Sequence, residues 1–116
     1  MAVEMRPSQA LRLLQELALA QVRDGEPDLS PRQLAILLTV YLEAPPHTVR
    51  GLAARLGVTK PVITRALDTM GQMKLVSRRR DEADRRNVVI QRTVEGSLYL
   101  ERLGDLVVAV ARGLPR

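Results

Sequence analysis

A chain of 116 residues with 46% hydrophobic content is long enough for one domain with its own core and too short for two ordinary ones. It holds no cysteine, Phe or Trp, which excludes disulfides, thiolate metal sites, thiol catalysis and direct cysteine redox sensing, and leaves a core to be built from Leu, Val, Ile, Ala and Met. The net charge of +5 is unevenly placed: residues 48–93 carry eleven Lys or Arg against four acids, while the flanks are faintly acidic, so this middle stretch is either a surface for a polyanion or a solvated basic face.

In chain order, Pro7 and Ser8 give entry chemistry for a helix running to about Arg23, and Asp24, Gly25, Glu26, Pro27 and Asp28 break it. Its apolar residues, from Ala10 and Leu11 to Val22, cover far more than one stripe. A second helix opens with Ser30 as N-cap and Pro31 in the first turn, carries Leu34, Ile36, Leu37, Leu38, Val40 and Tyr41, and stops before Pro45 and Pro46. Thr48 caps a short third helix through Leu56, which Gly57 ends by supplying a left-handed residue. Thr59 is the next N-cap. The helix from Lys60 to about Met73 sets Ile63, Ala66, Leu67 and Met70 along one apolar stripe, with Arg65, Asp68 and Gln72 opposite and Thr64 at the border.

Beyond Leu75, the segments 76–80 and 87–92 read as two strands around the polar loop 81–86. Thr93 caps a last helix to about Arg112, again apolar over most of its girth, and Gly113 and Pro115 end it. Helix, glycine turn, helix and arginine-rich hairpin in this order describe a mainly α fold with a small β-hairpin, a winged helix-turn-helix with N- and C-terminal dimerisation helices. The expected organisation is a single domain, 1–116, with an N-terminal helix (1–28), a DNA-binding core (29–93) and a C-terminal helix (94–116). Residues 1–7 show no leader pattern and no run of about eighteen apolar residues occurs, so a soluble, cytoplasmic protein is expected, with no membrane partner.

Single-stranded nucleic acids are usually held on aromatic platforms, and Tyr41 and Tyr99 are the only aromatics, so duplex DNA is the better candidate partner. A helix lying on one core needs one apolar stripe. Terminal helices apolar on several sides therefore point to a second copy of the chain, which would set two recognition helices about 34–36 Å apart, one turn of DNA. No Ser/His/Asp set, phosphate-binding glycine loop or metal-ligand cluster can be assembled, so neither an enzyme nor a cofactor is expected.

The segment Leu52-Ala53-Ala54-Arg55-Leu56-Gly57-Val58-Thr59, the stretch Val62 to Leu67 with Thr64-Arg65, and Asp81-Glu82-Ala83-Asp84-Arg85-Arg86 together resemble the MarR-type winged helix regulators of bacteria. The resemblance covers about residues 29–100. It implies a dimeric regulator of promoters, usually a repressor, often responsive to a small-molecule effector. By position it sends Lys60 to Arg65 into the major groove and Arg85 or Arg86 into the minor groove. Members of that family commonly carry another long helix where this chain stops after Arg112.

The candidate DNA-contacting residues are therefore Thr59, Lys60, Pro61, Thr64 and Arg65 on the recognition helix, Arg80, Arg85 and Arg86 in the wing, and Thr48, Arg50 and Arg55 as phosphate contacts. Each has a plainer alternative. Arg65 is either a bidentate reader of guanine or a phosphate contact or ion-pair partner of Asp68. Thr48, Thr59, Arg50 and Arg55 are phosphate ligands or simply caps and solvated charge. One of Arg85 and Arg86 pairs with Asp81 or Asp84 to shape the loop, or both face DNA. Arg78, Arg79 and Arg80 alternate faces along a strand, so at most two point one way and the third lays its stem over the core. His47 reads as a turn or strand residue. Tyr41 and Tyr99 are core or interface residues, or border an effector pocket. A winged helix used as a protein-interaction scaffold and a non-specific architectural DNA binder are the rival functions.

Overall fold

Local capping chemistry sets most of the element ends. A computed structural model describes residues 2–24 and 27–115, with α1 at Pro7–Asp24, α2 at Pro31–Leu42, β1 at His47–Thr48, α3 at Val49–Leu56, α4 at Lys60–Gln72, β2 at Val76–Arg80, β3 at Val88–Arg92 and α5 at Val94–Arg112. Ser30 opens α2 with a reciprocal cap: its hydroxyl accepts the Gln33 N–H at 3.1 Å, and the Gln33 side chain accepts the Ser30 N–H at 2.8 Å. Thr48 accepts the Gly51 N–H at 2.9 Å to open α3, and Gly57 closes it at φ 70°, a left-handed conformation that costs glycine nothing. The break read at 24–28 is seen in part only, because Gly25 and Glu26 lie outside the described residues.

Thr59 departs from expectation. It occupies the N-cap of α4 with extended backbone, but its hydroxyl makes no cap bond. Pro61 stands second in the helix and has no N–H, which removes one of the two amides such a hydroxyl can bind.

The sheet has three antiparallel strands in the order β1-β3-β2 rather than the two of a bare hairpin. His47 and Thr48 pair with Ile90 and Val89, while β2 pairs with β3 from Val76 opposite Arg92 to Arg80 opposite Val88. A strand of two residues has no period to detect, and its partner lies some forty positions away, so local pattern does not reveal it.

The chain divides into two compact units, Leu29–Leu100 and a second made of Met1–Asp28 with Glu101–Arg116. In the first, Ile36, Leu37 and Val40 of α2, Leu52 of α3, and Ile63, Leu67 and Met70 of α4 are essentially inaccessible, with Leu75, Val76, Ile90 and Tyr99 closing around them. Full burial of each such side chain contributes about 1.5–3 kcal/mol, and the i, i+3, i+4, i+7 spacing of 63, 66, 67 and 70 aims all four of those residues inward. In the second unit α1 buries no residue. Ala10, Leu13, Leu17 and Ala20 are half-buried, whereas Leu11, Leu14 and Val22 stand 67%, 63% and 82% exposed. The Gln9 amide donates to the Pro115 carbonyl at 3.3 Å there.

Tyr41 is half-buried and ties three parts of the chain together. Its hydroxyl donates to the Leu75 carbonyl at 2.7 Å and accepts the Thr93 N–H at 2.9 Å. The Thr93 hydroxyl donates to the Lys74 carbonyl at 2.7 Å and accepts the Gly96 N–H at 2.9 Å, which caps α5. Lys74 itself lies at φ 63° where α4 ends, with the Leu75 N–H returning to the Met70 carbonyl at 3.0 Å. A side chain at Gly96 would overlap the Tyr41 hydroxyl and the Leu75 carbonyl oxygen. Tyr99, the other aromatic, is buried at 5% exposure.

Tyr41→Phe is expected to cost about 1–3 kcal/mol by orphaning the Thr93 amide. Gly96→Ala should also destabilise, by about 1–3 kcal/mol of overpacking, although alanine ordinarily improves a helix. Gly104→Ala, where a Cβ meets nothing, serves as the control. Thermal unfolding checks the order, and a Gly96→Ala protein as stable as Gly104→Ala would contradict the packing described.

Candidate nucleic-acid interface

The apolar stripe of α4 decides what its other side presents. With Ile63, Ala66, Leu67 and Met70 buried, Thr59, Lys60, Pro61, Thr64 and Arg65 are all exposed. Lys60 and Arg65 make no ion pair or side-chain hydrogen bond among the described residues, and the uncapped Thr59 hydroxyl lies beside them at the helix start. The alternative pairing of Arg65 with Asp68 is not formed, because Asp68 Oδ1 takes Arg78 Nη2 at 2.7 Å. Three donors of different reach, hydroxyl, ammonium and guanidinium, thus share the leading turns of a helix whose positive dipole end they adjoin.

The supporting residues divide. Arg50 is exposed near the start of α3 and lies close enough to Asp84 to act on its charge. Thr48 spends its acceptor on the Gly51 amide and keeps its O–H as a donor. Arg55 is less free than expected, since its Nη2 meets Glu43 Oε2 at 3.3 Å. That pair is solvent-exposed on both sides, so it is worth about 0.2–1 kcal/mol and exchanges readily for a phosphate.

In the hairpin the three consecutive arginines alternate as a strand requires. Arg78 and Arg80 share the face of Val76, and Arg78 stands opposite the buried Ile90, so its stem lies against the core. Arg79 takes the other face. Arg80 Nη1 donates to the Arg85 carbonyl at 2.9 Å and so braces the turn. Arg86 is the arginine that pairs: its Nε reaches Asp84 Oδ1 at 3.0 Å and its Nη2 reaches Oδ2 at 3.2 Å. The Arg86 backbone N–H adds a third bond to Asp84 at 3.1 Å, yet its side chain remains 83% exposed. Asp81 accepts the Ala83 N–H at 2.9 Å. Arg85 keeps an exposed side chain with no ion pair among the described residues.

The roles of Arg92 and His47 at the end of α2 were not read from the sequence. Arg92, counted among the eleven basic residues, is structural: its Nε and Nη2 donate to the Val40 and Glu43 carbonyls at 2.9 and 3.0 Å, and its guanidinium lies 5.9 Å from the Tyr41 ring centre. It caps the C-terminus of α2, where a cation is favoured. His47 joins it through Nε2 to the Glu43 carbonyl at 3.1 Å. The signal that could have found them is the lack of any glycine after Leu42, which leaves the end of α2 needing donors from elsewhere in the chain.

The hairpin packed beside the second of two helices joined at Gly57 makes this a winged helix-turn-helix protein. It belongs to the MarR family, whose sequence signature matches residues 29–88. Among solved structures it is similar to the YusO protein from Bacillus subtilis, with 22% identity over 90% of this chain and 72% of that one and a TM-score of 0.74. It is similar also to MepR of S. aureus in a DNA complex, with 20% identity, 88% and 82% coverage and a TM-score of 0.74. A third similar structure is the transcriptional repressor CouR bound to a 23-mer DNA duplex, with 25% identity, 89% and 70% coverage and a TM-score of 0.71. Comparison with curated proteins gave no match. Among the described residues no helix is long and apolar enough to cross a membrane.

The Arg86 side chain, then its backbone N–H, then the charge of Arg50 hold the Asp84 carboxyl below its ordinary range. A carboxyl with a lowered folded value lends its stabilisation above the unfolded value and loses it only as pH falls through the lowered one. NMR signals of the Arg86 amide and Nε–H should therefore stay unchanged from neutral pH down to the usual carboxylate range of about 3.9 and move only below it. Movement already at ordinary carboxylate pH would show that the pair does not form.

Proposed function

We propose that this chain is a sequence-specific, duplex-DNA-binding transcription regulator that works as a homodimer in the cytoplasm and acts by repression. The observation that carries the reading is the set of uncommitted donors at Thr59, Lys60 and Arg65 on the exposed face of α4, beside a hairpin that braces Arg85 and Arg86 outward. MepR and CouR, similar in fold, are seen with DNA, and CouR is a repressor. Thr59, Lys60, Pro61, Thr64 and Arg65 enter the major groove, with Arg65 reading a base. Arg85 and Arg86, with Arg80 behind them, work at the minor groove, while Thr48, Arg50 and Arg55 meet phosphates. Phosphate contacts set affinity and register, and base contacts set sequence preference. A regulator rather than an enzyme is the reading the residues favour.

The homodimer is supported by α1. At about 100° per residue, Leu11, Leu14, Ala18 and Val22 fall within about 80° of arc beside the half-buried side of the helix, and all four are exposed. Covering each such leucine or valine is worth about 1.5–3 kcal/mol, which favours a second copy with the same stripe. In this arrangement 29–93 is the DNA-binding core, and 1–28 with 94–116 joins the protomers.

Electrophoretic mobility or anisotropy measurements with a duplex selected by the protein from a random pool, against a randomised duplex of equal length, test the function across a salt series. Arg65→Ala should lower the preference for the selected duplex by about 1–3 kcal/mol, with little change on randomised DNA. Arg85→Ala and Arg86→Ala should weaken both duplexes, most at A·T-rich narrow grooves. Equal binding of both duplexes by the unmodified protein would make it an architectural DNA binder, and no binding at low salt would leave the protein-interaction scaffold. Leu11→Glu with Leu14→Glu should yield monomers in sedimentation and weaken DNA binding. A variant that still sediments as a dimer would place the subunit contact elsewhere.

A further inference from the structure

Asp68 lies three residues after Arg65 on the exposed side of α4, a spacing at which a carboxylate and a guanidinium attract each other on a helix surface. The pair is not made. Asp68 Oδ1 instead accepts Arg78 Nη2 at 2.7 Å, the shortest ion pair among the described residues, and Arg65 is left without one. Arg78 competes well because of where it stands. Its strand position faces the core opposite Ile90, its side chain is only 33% exposed, and its stem is therefore already ordered, whereas Arg65 would have to immobilise a solvated chain to reach the same carboxylate.

We propose that Arg78 is a positioning residue for base readout: by holding the Asp68 carboxylate it keeps the Arg65 guanidinium available to the major groove. The inference rests on the assignment of Arg65 as a reader. Without Arg78, Asp68 turns to Arg65, and each base contact must then break an ion pair on the same helix. The same bond also joins α4 to β2, so reader and wing are tied at one point. Arg78 itself, engaged by Asp68 and laid against the core, touches no DNA.

The test uses the full chain, a duplex selected from a random pool by the unmodified protein, and a randomised duplex of equal length. Arg78→Gln should lower the ratio of selected to randomised affinity about two- to fivefold, the range expected from a competing surface ion pair, and Arg78→Lys should keep most of it. Adding Asp68→Asn to Arg78→Gln should restore the ratio, because the competitor for Arg65 is gone. In an Arg65→Ala background, Arg78→Gln should leave the ratio unchanged. A double variant as poor as Arg78→Gln alone would make Arg78 a strut and overturn the proposal, as would an equal, unrescued weakening on both duplexes, the mark of a phosphate contact. If Arg65→Ala alone leaves the ratio intact, the reader assignment fails and this inference with it. If Arg65→Ala collapses the ratio while Arg78→Gln does not, only the positioning role fails.

Discussion

One hydroxyl group holds the unit Leu29–Leu100 in register. Tyr41, near the end of α2, donates to the turn that follows α4 and accepts the amide that begins α5, while Thr93 repeats the pattern with the Lys74 carbonyl and the Gly96 amide. Three segments distant in sequence thus meet on two side-chain oxygens. The turn after α4 puts Lys74 in a left-handed conformation and leaves its carbonyls pointing inward. Carbonyls left without helix partners take donors from elsewhere, and in this chain Tyr41 and Thr93 supply them. The close approach requires that nothing project from position 96, which is why a glycine stands in the first turn of a long helix.

Around this knot the arginines are allocated to different work by geometry alone. Arg92 finishes α2 by feeding two carbonyls, Arg78 and Arg86 are neutralised locally by Asp68 and Asp84, and Arg80 braces the turn through the Arg85 carbonyl. Arg50, Lys60, Arg65, Lys74, Arg79 and Arg85 keep their side chains without an ion pair among the described residues. The unpaired basic charge is consequently smaller than the local excess of basic residues suggests, and it is spread over the starts of α3 and α4, the end of α4 and the hairpin. Attraction of a polyanion over a Debye length depends on the whole excess.

The helices and their ends were legible because the signals that make them are local. Ser30 with Gln33, Thr48 with Gly51, and Gly57 in its left-handed well each act within four residues, and the stripe 63–66–67–70 follows from helix geometry. The hairpin was legible from alternation and from the polar loop between its strands. Thr59 marks the limit even of local reasoning, since its position was correct but its hydroxyl makes no cap bond, and Pro61 offers it no N–H.

The order of elements, the buried face of α4 and the exposure of Thr59, Lys60, Pro61, Thr64 and Arg65 follow from the amino-acid sequence, because periodicity and caps are properties of adjacent residues. The partners of Asp68, Arg92 and Tyr41, the third strand at His47 and Thr48, and the choice of Arg86 over Arg85 as the residue held by Asp84 belong to the tertiary structure. A charge or a hydroxyl carries no address in the sequence. It bonds with whichever unsatisfied group packing brings within about 3 Å, and packing brings together residues that the chain keeps more than fifty positions apart.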